Sequence, residues 1–169
     1  VAGSDLVPAQ CERVAPRGGR VFLLGGAPGV AQEAAAVLGS RYPGLNVVGA
    51  ECPPFRALSR EETAALLARI RAAAPDLLFV AFGQPKGERW LAEHLPELGP
   101  TVGLQIGASL DMLVGRVRRA PRLVQRLGLE WAWRIGTEPR RLAPRYAEDA
   151  AFLARRLLAR PERTRVVGG

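Results

Sequence analysis

Val21-Phe22-Leu23-Leu24-Gly25-Gly26-Ala27-Pro28-Gly29, followed by Val30, Ala34, Val37 and Leu38 at helical spacing, is the stretch that decides the fold. A short apolar run that ends in glycines and passes into a 3.6-residue period reads as strand, tight turn, helix. The same unit recurs downstream. Tyr42-Pro43-Gly44 stops the first helix, and Leu45 to Gly49 gives a second strand. Ser59 and Glu62 have the spacing of a capping box ahead of Leu66, Leu67 and Ile70, the buried side of a second helix. Ala74-Pro75-Asp76 breaks that helix. Leu77 to Gly83 follows as a continuous apolar run, the pattern of a strand covered on both faces. A further helix is expected from Pro85 to His94, and Thr101 to Ile106 gives a fourth strand ending at Gly107-Ala108-Ser109. Strands and helices that alternate through short connections predict a parallel, doubly wound α/β sheet. Ligands of such sheets sit in the crevice outside the carboxyl ends of the strands. Here those ends are Gly25-Gly26, Gly49 to Phe55, Gly83-Gln84 and Gly107 to Ser109.

After Gly115 the pattern changes. Helical pieces are expected at 121–127, 129–135 and 138–159, with a frayed tail over 163–169. The last piece carries Tyr146, Ala150, Leu153 and Leu157 on one side and Arg145, Arg155, Arg156 and Arg160 elsewhere, as a basic amphipathic helix does. Residues 1–115 carry a net charge of −1 and residues 116–169 a net charge of +9, which together give the chain's +8. The predicted organisation is therefore a near-neutral sheet domain, 1–115, and an arginine-rich helical appendage, 116–169. On charge alone the appendage is either a solvated basic face with no single ligand or a surface for anionic partners: nucleic acid, phospholipid headgroups or a pyrophosphate. Nucleic acid is the weaker reading, because no reader motif accompanies the charge. Hydrophobic residues make up 48% of the 169, enough for a core, which excludes wholesale disorder. Cys11 and Cys52 form neither a zinc spacing nor a disulfide framework, so the chain reads as a protein of a reducing compartment. The opening residues do not read as a secretory leader. No run approaches the roughly eighteen apolar residues of a membrane span, so membrane contact is expected to be peripheral.

Several residues stand where chemistry is expected. The Gly25-Gly26 turn could hold a phosphate at a helix N-terminus, or be a plain tight turn; it is neither a dinucleotide fingerprint nor a P-loop. Gln84, Lys86 and Glu88 cluster at a strand end, although Glu88 could simply neutralise the helix dipole. Asp111 could accept from a ribose or base edge, or cap the next helix. Cys52, before Pro53-Pro54, reads as a small apolar residue. His94 lies late in a helix without an Asp or Cys partner and reads as a surface residue. No metal cluster is apparent in the sequence, and no cofactor is expected.

Seven ordered elements resemble the WecG/TagA/CpsF glycosyltransferases. They are Phe22-Leu23-Leu24-Gly25-Gly26, Pro75-Asp76-Leu77-Leu78-Phe79-Val80, Gly83-x-Pro85-Lys86-x-Glu88, Gly107-x-Ser109-x-Asp111, Gly115-x-Val117-x-Arg119-Ala120-Pro121, Gly128-Leu129-Glu130-Trp131 and Glu138-Pro139-Arg140-Arg141. The resemblance runs from about Ser4-Asp5-Leu6-Val7-Pro8 almost to the end. It implies a Rossmann-like fold and inverting, metal-independent transfer of a sugar from a UDP-sugar to a polyprenyl-pyrophosphate-linked acceptor. It also implies peripheral association with the cytoplasmic face of the plasma membrane through the arginine-rich appendage, and self-association.

By the same resemblance Arg134, Arg141 and Arg140 are the expected catalytic cations. Arg145 and Arg119 would help hold the diphosphates. Gly25, Gly26 and Asp111 would hold the nucleotide, Phe55 would flank the uracil, and Gln84, Lys86 and Glu88 would line the substrate site. The chain departs from the family pattern twice. The family's general base, an aspartate before glycine, belongs to sequence upstream of Val1, so the expectation is a transferase present as its C-terminal part. Gly87 stands where the family has a glutamine, with Gln84 three residues earlier as a possible substitute. Those departures leave a second expectation, a non-catalytic nucleotide- and membrane-binding module derived from the fold.

Overall fold

Four apolar runs become four parallel strands in the order β2-β1-β3-β4, as the computed structural model shows. The structure describes residues 3–99 and 101–137, together with Pro139, Ala147, Ala151, Phe152, Arg155 and Arg156. The chain divides into two compact units, Val1–Arg118 and Arg119–Gly169.

The first unit runs α1 (Gly3–Val14), β1 (Arg20–Gly25), α2 (Val30–Arg41), β2 (Asn46–Glu51), α3 (Arg60–Ala73), β3 (Leu77–Ala81), α4 (Lys86–His94), β4 (Val102–Gln105) and α5 (Ser109–Leu113). Alternation along the strands builds two cores. Val21, Leu23, Leu77 and Phe79 point to one face, under α1, α2 and α5. Phe22, Leu24, Leu78 and Val80 point to the other, under α3 and α4. Side chains of successive strand residues face opposite sides, so a strand covered on both faces needs an unbroken apolar run. Both central strands have one. The α/β expectation holds, with strand limits shifted by one or two residues.

Helix α1 is the element that the sequence did not disclose. Pro8 lies inside it, where the missing N–H and the ring normally break a helix. Val7, Cys11 and Ala15 pack into the first core and stabilise it. Burial pushes the Cys11 thiol up to about 11. Arg20, the first residue of β1, ties the sheet to the end of α3. Its Nε and Nη2 donate to the carbonyls of Ala74 (3.0 Å) and Ala73 (2.8 Å), and its backbone N–H donates to Asp76 (2.8 Å). The α4 start is corrected by one residue. Pro85 precedes the helix as its N-cap, after a cis Gln84–Pro85 peptide.

The second unit contains α6 (Arg122–Arg126) and α7 (Glu130–Thr137), close to two of the predicted pieces. Of the predicted helix 138–159, the described residues Pro139, Ala147, Ala151, Phe152, Arg155 and Arg156 are helical. The rest of it, and the tail 163–169, lie outside the described residues. Leu123 (69% exposed) on α6 and Leu127 (63%), the residue that caps its C-terminus, stand beside the exposed Arg122 and Arg126. Among the described residues no helix is long and apolar enough to cross a membrane.

The capping box of α3 forms as predicted. Ser59 Oγ accepts from the Glu62 N–H (3.2 Å), and Glu62 accepts from the Ser59 N–H (2.8 Å). Arg56 adds a two-pronged bond to the same carboxylate (2.6 and 2.5 Å). The Arg56 bond first, and the Ser59 N–H second, hold the Glu62 carboxyl at about 2, against an ordinary 4.5. A depressed folded-state value means that the stabilisation is present above the unfolded value and is lost as pH falls through the folded one. Thermal melting should therefore show a stability loss between about pH 4.5 and pH 2 that is smaller in Glu62→Gln. Equal acid sensitivity in the two proteins would contradict this.

Candidate functional site

The two neighbours of β1 are reached over opposite faces of the sheet: β2 through α2, β3 through α3. Helices that diverge in this way open a crevice at the carboxyl ends of β1 and β3. β1 ends at Gly25, in register with Ala81 of β3. Gly25 has φ 105°, and a Cβ there would lie 2.9 Å from the Ala81 carbonyl and 2.9 Å from the Phe82 ring. A side chain would be both strained and obstructed, so glycine lets the strand end close against its neighbour. The Gly26 N–H then donates to the Ala81 carbonyl (3.2 Å). The turn enters α2 at Gly29, with no side chain capping the helix. A helix start of this kind offers backbone donors and a positive dipole end to an anion.

Arg116 covers this turn. Its Nη1 approaches the Pro28 carbonyl (3.4 Å), and its Nη2 pairs with Glu33 Oε1 (2.5 Å) in the first turn of α2. Arg116 belongs to the first unit and is reached through the reversal after α5. The Asp111 carbonyl accepts from the Arg116 N–H (2.9 Å) and the Val117 N–H (3.2 Å). Asp111, Gly25, Gly26 and Arg116 are thus tied to one neighbourhood, and Arg116 is the member that the sequence reading missed. Gly115 at φ 77° is the local signal of the reversal that brings it back.

The other wall of the crevice is the loop after β3. Gly83, Gln84, Pro85, Lys86 and Glu88 are all exposed there. The Lys86 N–H donates to the Gly83 carbonyl (2.8 Å), which closes the loop into α4. Gly87 is buried, and a Cβ on it would overlap the side-chain amide of Gln105 at the end of β4. That amide donates to the Phe82 carbonyl (2.5 Å), and its buried Oε1 has no hydrogen-bond partner. The missing side chain at 87 therefore has a packing counterpart. Gln105 occupies the space from a different strand and braces the end of β3.

Beyond β2 lies a cleft of about 470 Å³, lined by Gln32, Glu51, Cys52, Pro53, Leu66 and Arg69 among others. Glu51 receives Arg69 Nε (2.7 Å) and Nη2 (2.8 Å), one on each carboxylate oxygen. Cys52 does more than fill space. Its sulfur accepts from the Ala31 N–H (3.4 Å) and contacts the Gly25 carbonyl (3.4 Å), linking the cleft to the crevice. Phe55 stands 79% exposed beside the cleft without lining it.

The expected arginines divide. Arg119 lies in the second unit, 3.8 Å from Glu130. Arg134 lies on α7, with its side chain outside the described residues. Arg140, Arg141 and Arg145 also lie outside the described residues. His94 is a correction: its side chain is 12% exposed, packed on Trp90 (5.1 Å) with Glu97 at 3.5 Å, because α4 turns that edge onto the second core. Among the described residues no group of three or more His, Cys, Asp or Glu could hold a metal ion.

The Gly87–Gln105 packing yields a test. Gly87→Gln should lower stability by about 1–3 kcal/mol, as overpacking does. Adding Gln105→Ala should recover most of that loss in urea unfolding. Additive losses would show that the two positions do not share one space.

The description of the matching family is "Glycosyl transferase WecG/TagA/CpsF family", and the match extends over residues 1–166. With nearly the whole chain matched and the α/β sheet in place, the protein belongs to the WecG/TagA/CpsF family of glycosyltransferases.

Proposed function

We propose that the protein transfers a sugar, N-acetylmannosamine or a related hexose, from a UDP-sugar to a polyprenyl-diphosphate-linked acceptor, with inversion, in the synthesis of cell-surface polysaccharide or teichoic acid. The observation that carries the reading is the Gly25–Gly29 turn with Arg116 laid across it at the switch point of the sheet. Helix starts and guanidinium groups are common diphosphate ligands, and here the start of α2 lies beside the Arg116 guanidinium, which Glu33 holds in place.

Inversion requires the acceptor hydroxyl to lose a proton as its oxygen attacks the anomeric carbon, while the bond to UDP breaks on the opposite side. Negative charge grows on the departing diphosphate. Cations held at that point lower the barrier because they are already in place. Arg116 serves the nucleotide end, and Arg134, Arg140 and Arg141, with Arg119 and Arg145, supply further charge from the appendage. Gln84, Lys86 and Glu88 border the transferred sugar, and Asp111 and Phe55 the nucleoside. We assign the general base to no residue of this chain.

The second unit fits the acceptor's location. Leu123 and Leu127, each preceded by an arginine, Arg122 and Arg126, combine exposed apolar surface with charges that attract anionic lipid. This supports a peripheral position on the cytoplasmic face of the plasma membrane. Self-association is compatible with the reading and is not needed for it.

UDP release from UDP-N-acetylmannosamine, with a short-chain lipid-diphosphate acceptor, tests the proposal in the full-length protein. Arg134→Ala or Arg141→Ala should lower kcat by about 10²–10³-fold, as loss of one transition-state donor does. The melting temperature should not change. Unchanged kinetics with lowered stability would reject the catalytic role.

A further inference from the structure

The Arg116–Glu33 pair lies directly over the start of α2. A Cβ placed on Gly29, the N-cap, would come within 3.8 Å of Arg116 Nη2 and 3.9 Å of Glu33 Oε1. Glu33 is the acid of the first turn of α2, where the helix dipole favours a negative charge. The chain thus sets an anion of its own beside the place proposed above for the diphosphate.

This pair is held less firmly than two others in the same unit. Arg56 and Arg69 each give two nitrogens to the two oxygens of a carboxylate, those of Glu62 and Glu51. Arg116 gives Glu33 only Nη2 (2.5 Å), while its Nη1 makes a long approach to the Pro28 carbonyl (3.4 Å). Both side chains reach solvent, 40% exposed for Arg116 and 51% for Glu33. An exposed pair of this kind shifts an equilibrium by about fivefold at most. A diphosphate carries more charge than one carboxylate and can accept from two parallel N–H groups of a guanidinium. It therefore outcompetes Glu33 for the same fork, and the two anions repel each other at that range.

We infer that Glu33 is an internal competitor of the diphosphate. It holds Arg116 over the turn while the seat is empty and yields it to the incoming nucleotide. When UDP departs, Glu33 takes the guanidinium back. Donor binding and product release are then an exchange of anions on one arginine, and Glu33 keeps UDP from being held too tightly. The inference rests on the diphosphate seat proposed above and adds its regulation.

The test is calorimetric titration with UDP of the wild-type protein, Glu33→Gln, Arg116→Ala and the double variant, at low ionic strength, where screening is weakest. Glutamine keeps the size of the side chain and removes its charge, and equal melting temperatures check that the fold is kept. Glu33→Gln should bind UDP about two- to fivefold more tightly than wild type, the range over which an exposed ion pair acts. In the Arg116→Ala background the same change should bring no gain, because nothing is left to compete for. Unchanged or weaker binding in Glu33→Gln makes Glu33 a support of Arg116 only and overturns the inference. A gain that persists without Arg116 is general charge repulsion and overturns it too. In both cases weaker binding by Arg116→Ala leaves the diphosphate seat standing. UDP binding that Arg116→Ala does not weaken overturns the seat and the inference together.

Discussion

Everything at the site depends on how closely the end of β1 approaches β3. Two strands can run side by side to their last residue only if neither carries an obstructing side chain on the turn. Gly25 meets that condition: a Cβ would strike the Ala81 carbonyl. The close approach lets the Gly26 N–H reach Ala81 and aims the chain directly into α2. The helix start, the positive dipole end and the Arg116 guanidinium then occupy one sheet edge. Larger residues at Gly25 would push the turn outward and separate those groups.

The rest of the first unit holds that edge rigid. The two-sided packing of Val21 to Leu24 and Leu77 to Val80 leaves no freedom of register, since a one-residue slip would exchange the two cores. Gln105 braces the loop after β3 from the adjoining strand, and Arg20 closes the opposite end of the sheet. Charge is placed differently. Residues 1–115 carry a net charge of −1 and residues 116–169 a net charge of +9, so the excess positive charge is confined to the C-terminal third of the sequence.

The sequence disclosed what is local. Apolar runs bounded by glycine and proline marked all four strands, and Ser59 with Glu62 marked the start of α3. Charge segregation set the basic stretch after residue 115 apart from the rest. What it concealed depends on contacts between distant positions. Arg116 meets Glu33 across 83 residues, and Gln105 meets Phe82 across 23; neither leaves a periodic trace. Glu51 and Arg69 pair across 18 residues, and nothing local marks that contact either. Pro8 hid α1, since tertiary burial there outweighed a strong local signal. His94 is half-buried beside Trp90, its neighbour one turn earlier on α4; the i,i+4 spacing was legible, but that this side of the helix faces the second core was not.

The central claim is that the crevice at the ends of β1 and β3 receives the donor's diphosphate. Amide chemical-shift mapping during a UDP titration tests it most directly. The account predicts the largest shifts over Ala27 to Ala31, in the Gly83–Gly87 loop, and at Arg116. Shifts confined to residues after Arg119, with the Gly25–Ala31 amides unmoved, would contradict it.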